Sequence, residues 1–294
     1  MTILLLGYGS MGRRHAANAR ILGHTVVVCD TDPAKQAQAQ ADGYTLGDVT
    51  GTPYDVAIVA TPAASHVDDV LRLRDVPILV EKPLALSVTD AERIPAERRK
   101  RIRVGYNWRF HPHTARLHEG INAREDWPTQ VLTWVSTDMG QWPGRGYADP
   151  LLECSHEIDL ALAFFGPITH LRAQYLDDGQ KWHILLEHRA RPGASARIMI
   201  LTHAAPPHTR GVSVQWADGI EDGYSVESDD PGAPQGLAIS YRAELADWLA
   251  WAECGAESFT RTFDQGTLVL KLCELARQQD QAHREAGFLQ SVRH

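Results

Sequence analysis

The fold is decided by residues 2–12, TILLLGYGSMG, where a short apolar run leads directly into three closely spaced glycines. The run from Thr2 to Leu6 has the length and aliphatic content of a buried strand. The glycines match the pattern GxGxxG, and the helix predicted from about Met11 to Leu22 ends at Gly23, a residue type that favours helix termination. A strand, a glycine-rich turn and a helix in this order open a βαβ unit.

The three glycines have separate roles in such a turn. Gly7 permits the tight turn, Gly9 lets the backbone approach a pyrophosphate, and Gly12 allows close packing of helix on strand. The helix N-terminus attracts phosphates through its free N–H groups and its dipole. A turn without a ligand is the alternative, and the strand–turn–helix context disfavours it. We therefore predict a dinucleotide site that contains Gly7, Tyr8, Gly9, Ser10, Met11 and Gly12.

Asp30 indicates which dinucleotide binds, because it follows the second predicted strand, Thr25 to Cys29. A carboxylate at this position accepts hydrogen bonds from the ribose hydroxyls and repels a 2′-phosphate. Residues 31–33 supply no arginine that would bind such a phosphate. The sequence predicts NAD rather than NADP as the cofactor. The alternative is that Asp30 only caps a turn.

The first hundred residues alternate strands and helices, which is typical of a parallel sheet covered by helices. Asp32 and Pro33 begin a second helix, which ends at Gly43. A third helix is predicted near residues 89–101. Further strands are predicted at residues 56–60, 78–80 and 103–106.

After about residue 120 the pattern changes to successive strands with few helices between them, which argues for a second domain on a mostly antiparallel sheet. One helix interrupts the strands, with Asp149 as its N-cap, Pro150 in its first turn and Gly166 after its end. Residues 229–236 are predicted to be a loop. The strands are predicted at residues 131–135, 169–175, 183–188, 196–201 and 211–216, and two closing helices near 241–254 and 266–285.

The predicted fold class is α/β, with an N-terminal Rossmann domain and a C-terminal α+β domain built on a mostly antiparallel open sheet. Residues 1–120 form the dinucleotide-binding domain. Residues 121–261 form the domain for substrate binding and oligomerisation. The last helix, about residues 262–288, is expected to pack back on the first domain.

Composition narrows the class of protein. The 294 residues are 44% apolar and 22% charged, with a formal net charge of -8, so neither nucleic acid nor a membrane is an expected partner. The four cysteines form no CxxC pair and the histidines show no metal-ligand spacing, so no metal is expected. We expect a cytoplasmic homodimer or homotetramer that acts on a small-molecule substrate.

Three further segments each follow a predicted strand: TPAASH at 61–66, EKP at 81–83 and GYNWRF at 105–110. The carboxyl ends of parallel strands are the edge where open α/β sheets bind ligands. With the glycine motif, these segments resemble the glucose–fructose oxidoreductase, inositol dehydrogenase and MocA family in order and spacing. The resemblance covers residues 1 to about 112 and continues through SHEID at 155–159.

The resemblance implies roles for the residues at these strand ends. Thr61, Pro62 and His66 would line the nicotinamide pocket, Lys82 would reach the reacting oxygen of the substrate, and the bond before Pro83 would be cis. An ammonium beside a carbonyl stabilises a developing alkoxide. A surface lysine is the alternative. Glu81, Lys82 and Asn107 are expected to contact the cofactor. The residues expected to contact the substrate are Lys82, Tyr106, Trp108, Arg109, Trp142, Arg145 and His156.

His156 is the second catalytic group that the resemblance implies. The family carries an aspartate four residues before this histidine, and here that position is Leu152. Glu153 is three residues before His156 and would share nearly the same face of a continuous helix. We predict that Glu153 orients the imidazole at the substrate site. A histidine satisfied within the core is the alternative. His111 and His113 flank a proline and are interpreted as surface residues.

The function implied is hydride transfer between NAD and a hydroxyl or carbonyl carbon of a sugar, sugar acid or cyclitol. A second hypothesis is reduction of a C=N or conjugated C=C bond, which Leu152 favours because such a reaction needs less help from a carboxylate. A third hypothesis is an NAD(H)-binding sensor without turnover. The presence of both Lys82 and His156 argues against it.

Overall fold

The computed structural model describes residues 1–136, 149–176, 181–188, 195–201, 208–227 and 233–291. These residues divide into two units. The first unit contains Met1–Phe110 and Leu237–Leu270, and the second contains the described residues within 111–236 and 271–291. None of the helices in the described ranges has both the length and the apolar character of a membrane span.

The first unit is built on a seven-stranded sheet. Its strand order is β13-β6-β5-β4-β1-β2-β3, and all neighbouring pairs are parallel except β13 with β6. This order confirms the predicted Rossmann architecture. The strands are β1 (Thr2–Leu6), β2 (Thr25–Cys29), β3 (Thr45–Leu46), β4 (Val56–Val59), β5 (Ile78–Glu81), β6 (Ile102–Gly105) and β13 (Arg261–Thr262).

Helices cover this sheet and close its core. The apolar cluster joins residues of β1, β2 and β4 to Ala16 and Ala19 on one helix and to Leu245, Trp248 and Leu249 on another. The predicted helix at 89–101 is wrong, because the chain forms two short helices separated before Pro95, a residue that disfavours a helix interior. The helices are α1 (Ser10–Ile21), α2 (Pro33–Ala41), α3 (His66–Arg72), α4 (Val88–Glu92), α5 (Ala96–Arg99) and α9 (Ala233–Cys254).

The second unit is built on a six-stranded sheet of order β12-β11-β7-β10-β9-β8. Only the pair of β10 and β7 is parallel, so the predicted mostly antiparallel sheet is confirmed. Its strands are β7 (Gln130–Ser136), β8 (Ile168–Leu176), β9 (Lys181–His188), β10 (Ser195–Leu201), β11 (Thr209–Gln215) and β12 (Glu221–Glu227), and its helices are α6 (Pro112–Asn122), α7 (Pro150–Glu153), α8 (Ser155–Phe165) and most of α10 (Phe263–Ser291).

Several boundaries differ from those predicted. The sequence analysis missed β12, whose glutamates and glycine conceal its alternation, and α6, which begins after His111. Residues 233–236 are helical rather than part of a loop. The first unit also contains residues 237–270, which include most of α9 and the first turns of α10. Helix α9 packs on the Rossmann core, and the expected packing of the last helix on the first domain holds only for the first turns of α10. Within the described residues, the first unit thus consists of two segments of the chain, unlike the predicted division at 120 and 261.

Candidate active site

The glycine-rich turn has the geometry that a bound pyrophosphate requires. Gly7 has a φ of 87°, and a Cβ there would lie 2.7 Å from the Ala60 carbonyl oxygen, so the turn excludes any side chain. No described atom comes within 4 Å of a Cβ built on Gly9. Gly9 is also the N-cap of α1, and its end carries no side-chain cap within the described structure. The N-terminus of α1 can therefore donate its N–H groups to a phosphate.

Asp30 holds this turn through its carboxylate. Oδ2 accepts a hydrogen bond from the backbone N–H of Tyr8 at 2.6 Å, and Oδ1 accepts one from Asp32 at 2.9 Å. A carboxylate has further lone pairs, so these two bonds leave acceptor capacity for ribose hydroxyls. The Tyr8 side chain is buried, and its hydroxyl donates to Asp42 at 2.8 Å. Tyr8 therefore commits its backbone N–H to Asp30 and its ring to the core, and its predicted contact with the cofactor stays a prediction.

The segment after β4 is fixed by two buried side chains, those of Asp69 and His66. The Thr61 hydroxyl donates to Asp69 at 2.6 Å. The ring of His66 lies between two carbonyl oxygens, with Nδ1 2.8 Å from that of Pro83 and Nε2 2.9 Å from that of Thr61. Burial lowers the pKa of His66, while both carbonyl groups act in the opposite direction. Both ring nitrogens of His66 thus contact the backbone. The role of Thr61, Pro62 and His66 at the nicotinamide stays a prediction.

The segment after β5 carries Lys82. Its side chain is partly exposed, and the Lys82–Pro83 bond is cis, as the resemblance implied. Glu81 is buried, and its Oε1 lies 2.7 Å from Nε2 of His15 on α1. The other oxygen of Glu81 accepts from the backbone N–H of Lys82 at 3.3 Å. Glu81 therefore links α1 to the backbone of Lys82, and its predicted contact with the cofactor stays a prediction.

The segment after β6 is buried within the first unit. Tyr106 and Trp108 are both less than a tenth exposed. The amide of Asn107 donates to the Ser240 hydroxyl of α9 at 2.8 Å. Arg109 donates to the carbonyl oxygen of Phe259 and stacks on its ring, with 3.9 Å from Cζ to the ring centroid. These contacts position the segment, and the substrate and cofactor contacts assigned to its residues stay predictions.

The second unit holds His156, and here the predicted helix is interrupted. Asp149 caps α7 by accepting from the Leu151 N–H at 2.9 Å, as expected. The helix ends at Glu153, however, because Cys154 has φ −96° and ψ 25°, outside the helical range. Glu153 and His156 therefore lie on two separate helices, and the predicted continuous helix is wrong. Both side chains are buried, and their predicted pairing is untested.

Helix α8 is apolar and buried, yet it carries three ionisable side chains near its start. His156, Glu157 and Asp159 are each 5% exposed or less. Glu157 forms an ion pair with Arg210 of β11, with 2.7 Å between Oε1 and Nε. Buried ionisable groups are costly to retain unless they are paired, and they concentrate at functional sites. This helix is therefore the candidate catalytic element of the second unit.

Other predicted residues have different outcomes. Trp142 and Arg145 lie outside the described residues. His111 is not a surface residue, because it is 2% exposed and caps α6 by accepting from the His113 N–H. His113 is exposed, as expected. Within the described ranges, no cluster of three or more His, Cys, Asp or Glu side chains is placed to hold a metal ion.

Some residues of these regions escaped the sequence analysis. His15 and Ser240 contact motif residues from helices distant in the sequence, and no local pattern marks such contacts. Glu157 and Asp159 could have been found, because ionisable residues are unexpected in an otherwise apolar helix.

Known proteins resemble the N-terminal part of this chain and, more distantly, most of its length. Residues 1–106 match the family model described as "Oxidoreductase family, NAD-binding Rossmann fold". An inositol 2-dehydrogenase of an Arthrobacter species is 34% identical over 85% of this chain and 85% of its own length. The inositol 2-dehydrogenase of Rhizobium meliloti is 26% identical over 92% of this chain and 94% of its own. A similarity of this identity and coverage establishes common family membership.

The fold has close counterparts among solved structures. A myo-inositol dehydrogenase from Corynebacterium glutamicum superposes with a TM-score of 0.84 at 19% identity, covering 96% of this chain and 97% of that one. At this identity the likeness concerns the fold.

Proposed function

Because this chain belongs to the glucose–fructose oxidoreductase, inositol dehydrogenase and MocA family of NAD(P)-dependent oxidoreductases, we propose that it oxidises a secondary hydroxyl of a cyclitol, sugar or sugar acid with NAD. Two relatives named inositol 2-dehydrogenase support a polyol substrate. Bound NAD would supply the two-electron redox chemistry.

The position of Lys82 in the sheet carries this proposal. Strands β5, β4 and β1 are neighbours, so the segments of Lys82, Thr61 and Gly7 leave the same edge of the sheet side by side. This edge is where open parallel sheets bind nucleotides. The segment of Lys82 thus leaves the same edge as the dinucleotide turn, and Lys82 is the one lysine in the sequence of these three segments.

The residues of the turn fit NAD. The N-terminus of α1 would bind the pyrophosphate, and the remaining lone pairs of Asp30 would accept from ribose hydroxyls. A 2′-phosphate would meet the negative charge of Asp30. These features support NAD over NADP.

We assign proton chemistry to two side chains. Lys82 would stabilise the alkoxide oxygen of the substrate with its ammonium, and His156 would accept the hydroxyl proton during oxidation. Glu153 would orient the imidazole. These roles come from the family resemblance and are proposals for this chain.

A panel assay tests the proposed function. The protein is incubated with NAD and with one compound at a time. The compounds come from three classes, which are cyclitols (myo-inositol among them), neutral sugars and sugar acids. Absorbance at the NADH band reports turnover. We expect at least one class to yield NADH, and NADP to be a poorer oxidant. No NADH from any class, with NADH binding intact, would contradict the proposal and leave the reductase and the sensor hypotheses.

A second candidate function has one observation in its favour. Leu152, at the position of the family aspartate, is 2% exposed, so an apolar side chain is built into the core there. Reduction of a C=N or conjugated C=C bond requires less carboxylate assistance than oxidation of an alcohol. The same panel run with NADH and cyclic imines or conjugated enones would detect this activity.

A further inference from the structure

Two buried histidines contact the tripeptide Glu81-Lys82-Pro83, one on each side of the lysine. His15 is fully buried and contacts Glu81, the residue before Lys82. His66 is 1% exposed and contacts Pro83, the residue after it. Neither histidine lies near the other in the sequence, so the arrangement is produced by the fold.

The first link runs from the dinucleotide turn. His15 lies on α1, the helix whose N-terminus faces the proposed pyrophosphate site. Its Nε2 is 2.7 Å from one oxygen of Glu81, and the other oxygen of Glu81 accepts from the Lys82 N–H. Two successive hydrogen bonds thus join the phosphate-binding helix to the backbone of Lys82.

The second link runs from the segment assigned to the nicotinamide. The ring of His66 bridges the carbonyl oxygens of Thr61 and Pro83 at 2.9 and 2.8 Å. An imidazolium donates both hydrogen bonds and a neutral imidazole donates one. In either state the ring fills the space between the segments after β4 and β5, and its burial leaves it little freedom to move.

Resting on the proposed function, we infer that His15 and His66 are positioning residues that fix Lys82 relative to the bound cofactor. Lysine has a long flexible side chain, so its ammonium is placed accurately only if its backbone is fixed. The two histidines connect that backbone to the two segments that would bind NAD.

Four variants test this inference. His15→Phe and His66→Phe keep an aromatic ring of similar size and remove the hydrogen bonds. His15→Gln retains a donor for Glu81. His188→Phe is the matched control, because His188 is also buried and contacts a single carbonyl oxygen, that of Gly166 at 2.9 Å in the second unit. All four are first checked for cooperative thermal unfolding.

Kinetics with NAD and the cyclitol of highest turnover provide the main readout. We expect kcat to fall by about 10- to 100-fold in both phenylalanine variants of the first unit, since a misplacement of about 1 Å can cost that much. KM for the cyclitol should change by less than about threefold in both variants. The dissociation constant for NADH should change by less than about threefold in His15→Phe, and His15→Gln should recover most of kcat. If His15→Phe does not fold, because Glu81 loses its partner, His66→Phe and His15→Gln decide.

An equal loss of kcat in His188→Phe, or an unchanged kcat in His66→Phe, would overturn the inference. Failure of the proposed function is seen separately, because the unaltered protein would then turn over no compound. In that case crystal structures of the variants with NAD decide. Displacement of the Lys82 backbone by about 1 Å or more would support the inference, and a shift below about 0.5 Å would overturn it.

Discussion

The surroundings of Lys82 and of His156, to which we assign proton chemistry, are built differently. Lys82 follows a central strand, and both of its chain neighbours contact a buried histidine from another part of the first unit. His156 is the second residue of α8, directly after a break in the helix at Cys154. The first arrangement depends on contacts between distant elements, and the second depends on where one helix is interrupted. Lys82 should therefore tolerate local changes less well than His156.

The largest expected effect is that of Lys82→Ala. Removing the ammonium should lower kcat by about 10² to 10⁴, the range typical of a lost acid–base or charge-stabilising group. The dissociation constant for NADH should stay nearly unchanged. Steady-state kinetics and NADH fluorescence measure the two quantities. Lys35→Ala, which removes a partly exposed lysine of α2, serves as the control.

Turnover of Lys82→Ala within a few-fold of the unaltered protein would show that the family role of this lysine does not apply here. It would also remove the basis for contrasting the two regions, since the contacts around Lys82 would then be structural only.

The second unit offers a test of stability rather than turnover. Burial, with a smaller contribution from His113, lowers the pKa of His111 to about 4. Above pH 6.5 the imidazole is neutral in both the folded and the unfolded chain, so it does not reduce stability there. As the pH falls from 6.5 towards 4, the unfolded chain binds a proton that the folded chain does not, and the free energy of unfolding decreases by roughly 3 kcal/mol. His111→Phe should therefore lose less stability over this interval. Urea denaturation at several pH values measures it.

His113→Phe is the control for this test, because His113 is the exposed neighbour of His111 on α6. Its stability should lose nearly as much as that of the unaltered protein over this interval, because burial, the larger cause of the lowered His111 pKa, remains. An identical pH dependence in His111→Phe would contradict the assignment of a buried neutral imidazole.

Glu153→Gln examines the His156 side of the comparison directly. If Glu153 orients His156, the variant loses a charge-assisted hydrogen bond, and kcat should fall by about 10- to 100-fold. A carboxylate near an imidazole raises its pKa, so its loss should move the acidic limb of the pH–rate profile to lower pH. The profile of kcat against pH tests both effects.

Glu157→Gln is the matched control for Glu153→Gln. Glu157 is adjacent to His156 in the sequence, but its carboxylate is paired with Arg210 at 2.7 Å. This control should lose stability and keep the acidic limb in place. If both variants leave the limb unchanged, His156 acts without Glu153.

The smallest effect expected concerns the cofactor. Asp30→Asn should narrow the preference for NADH over NADPH by about tenfold, because a negative charge facing the 2′-phosphate is removed. The amide keeps one acceptor oxygen, so the turn loses less support than in an alanine variant. Asp32→Asn is the control, since Asp32 caps α2 at Ala34. Tighter binding of NADPH by the unaltered protein would contradict the NAD assignment.

Sequence patterns identified the strand-end segments correctly because a parallel sheet orders them by topology alone. Once β1, β4 and β5 were placed, the turn at Gly7 and the segments of Thr61 and Lys82 had to share an edge. The mostly antiparallel character of the second sheet could likewise be predicted from its run of successive strands.

The helix around His156 shows the limit of such patterns. Spacing along the chain relates Glu153 to His156 only if the backbone is continuous, and the break at Cys154 is not marked by glycine or proline. The contacts of His15 and His66 could not be predicted from the sequence either, because tertiary packing forms them. His15 and Glu81 are 66 positions apart in the chain, and His66 and Pro83 are 17 positions apart. Pairings of this kind require coordinates.

The central claim is that the chain transfers a hydride from a polyol carbon to NAD with the help of Lys82. The most direct measurement uses the polyol of highest turnover, deuterated at the carbon that is oxidised. Mass spectrometry of the reduced cofactor should show one deuterium per molecule with the unaltered protein and at most a trace of reduced cofactor with Lys82→Ala. Reduced cofactor without deuterium, or equal yields from both proteins, would contradict the account.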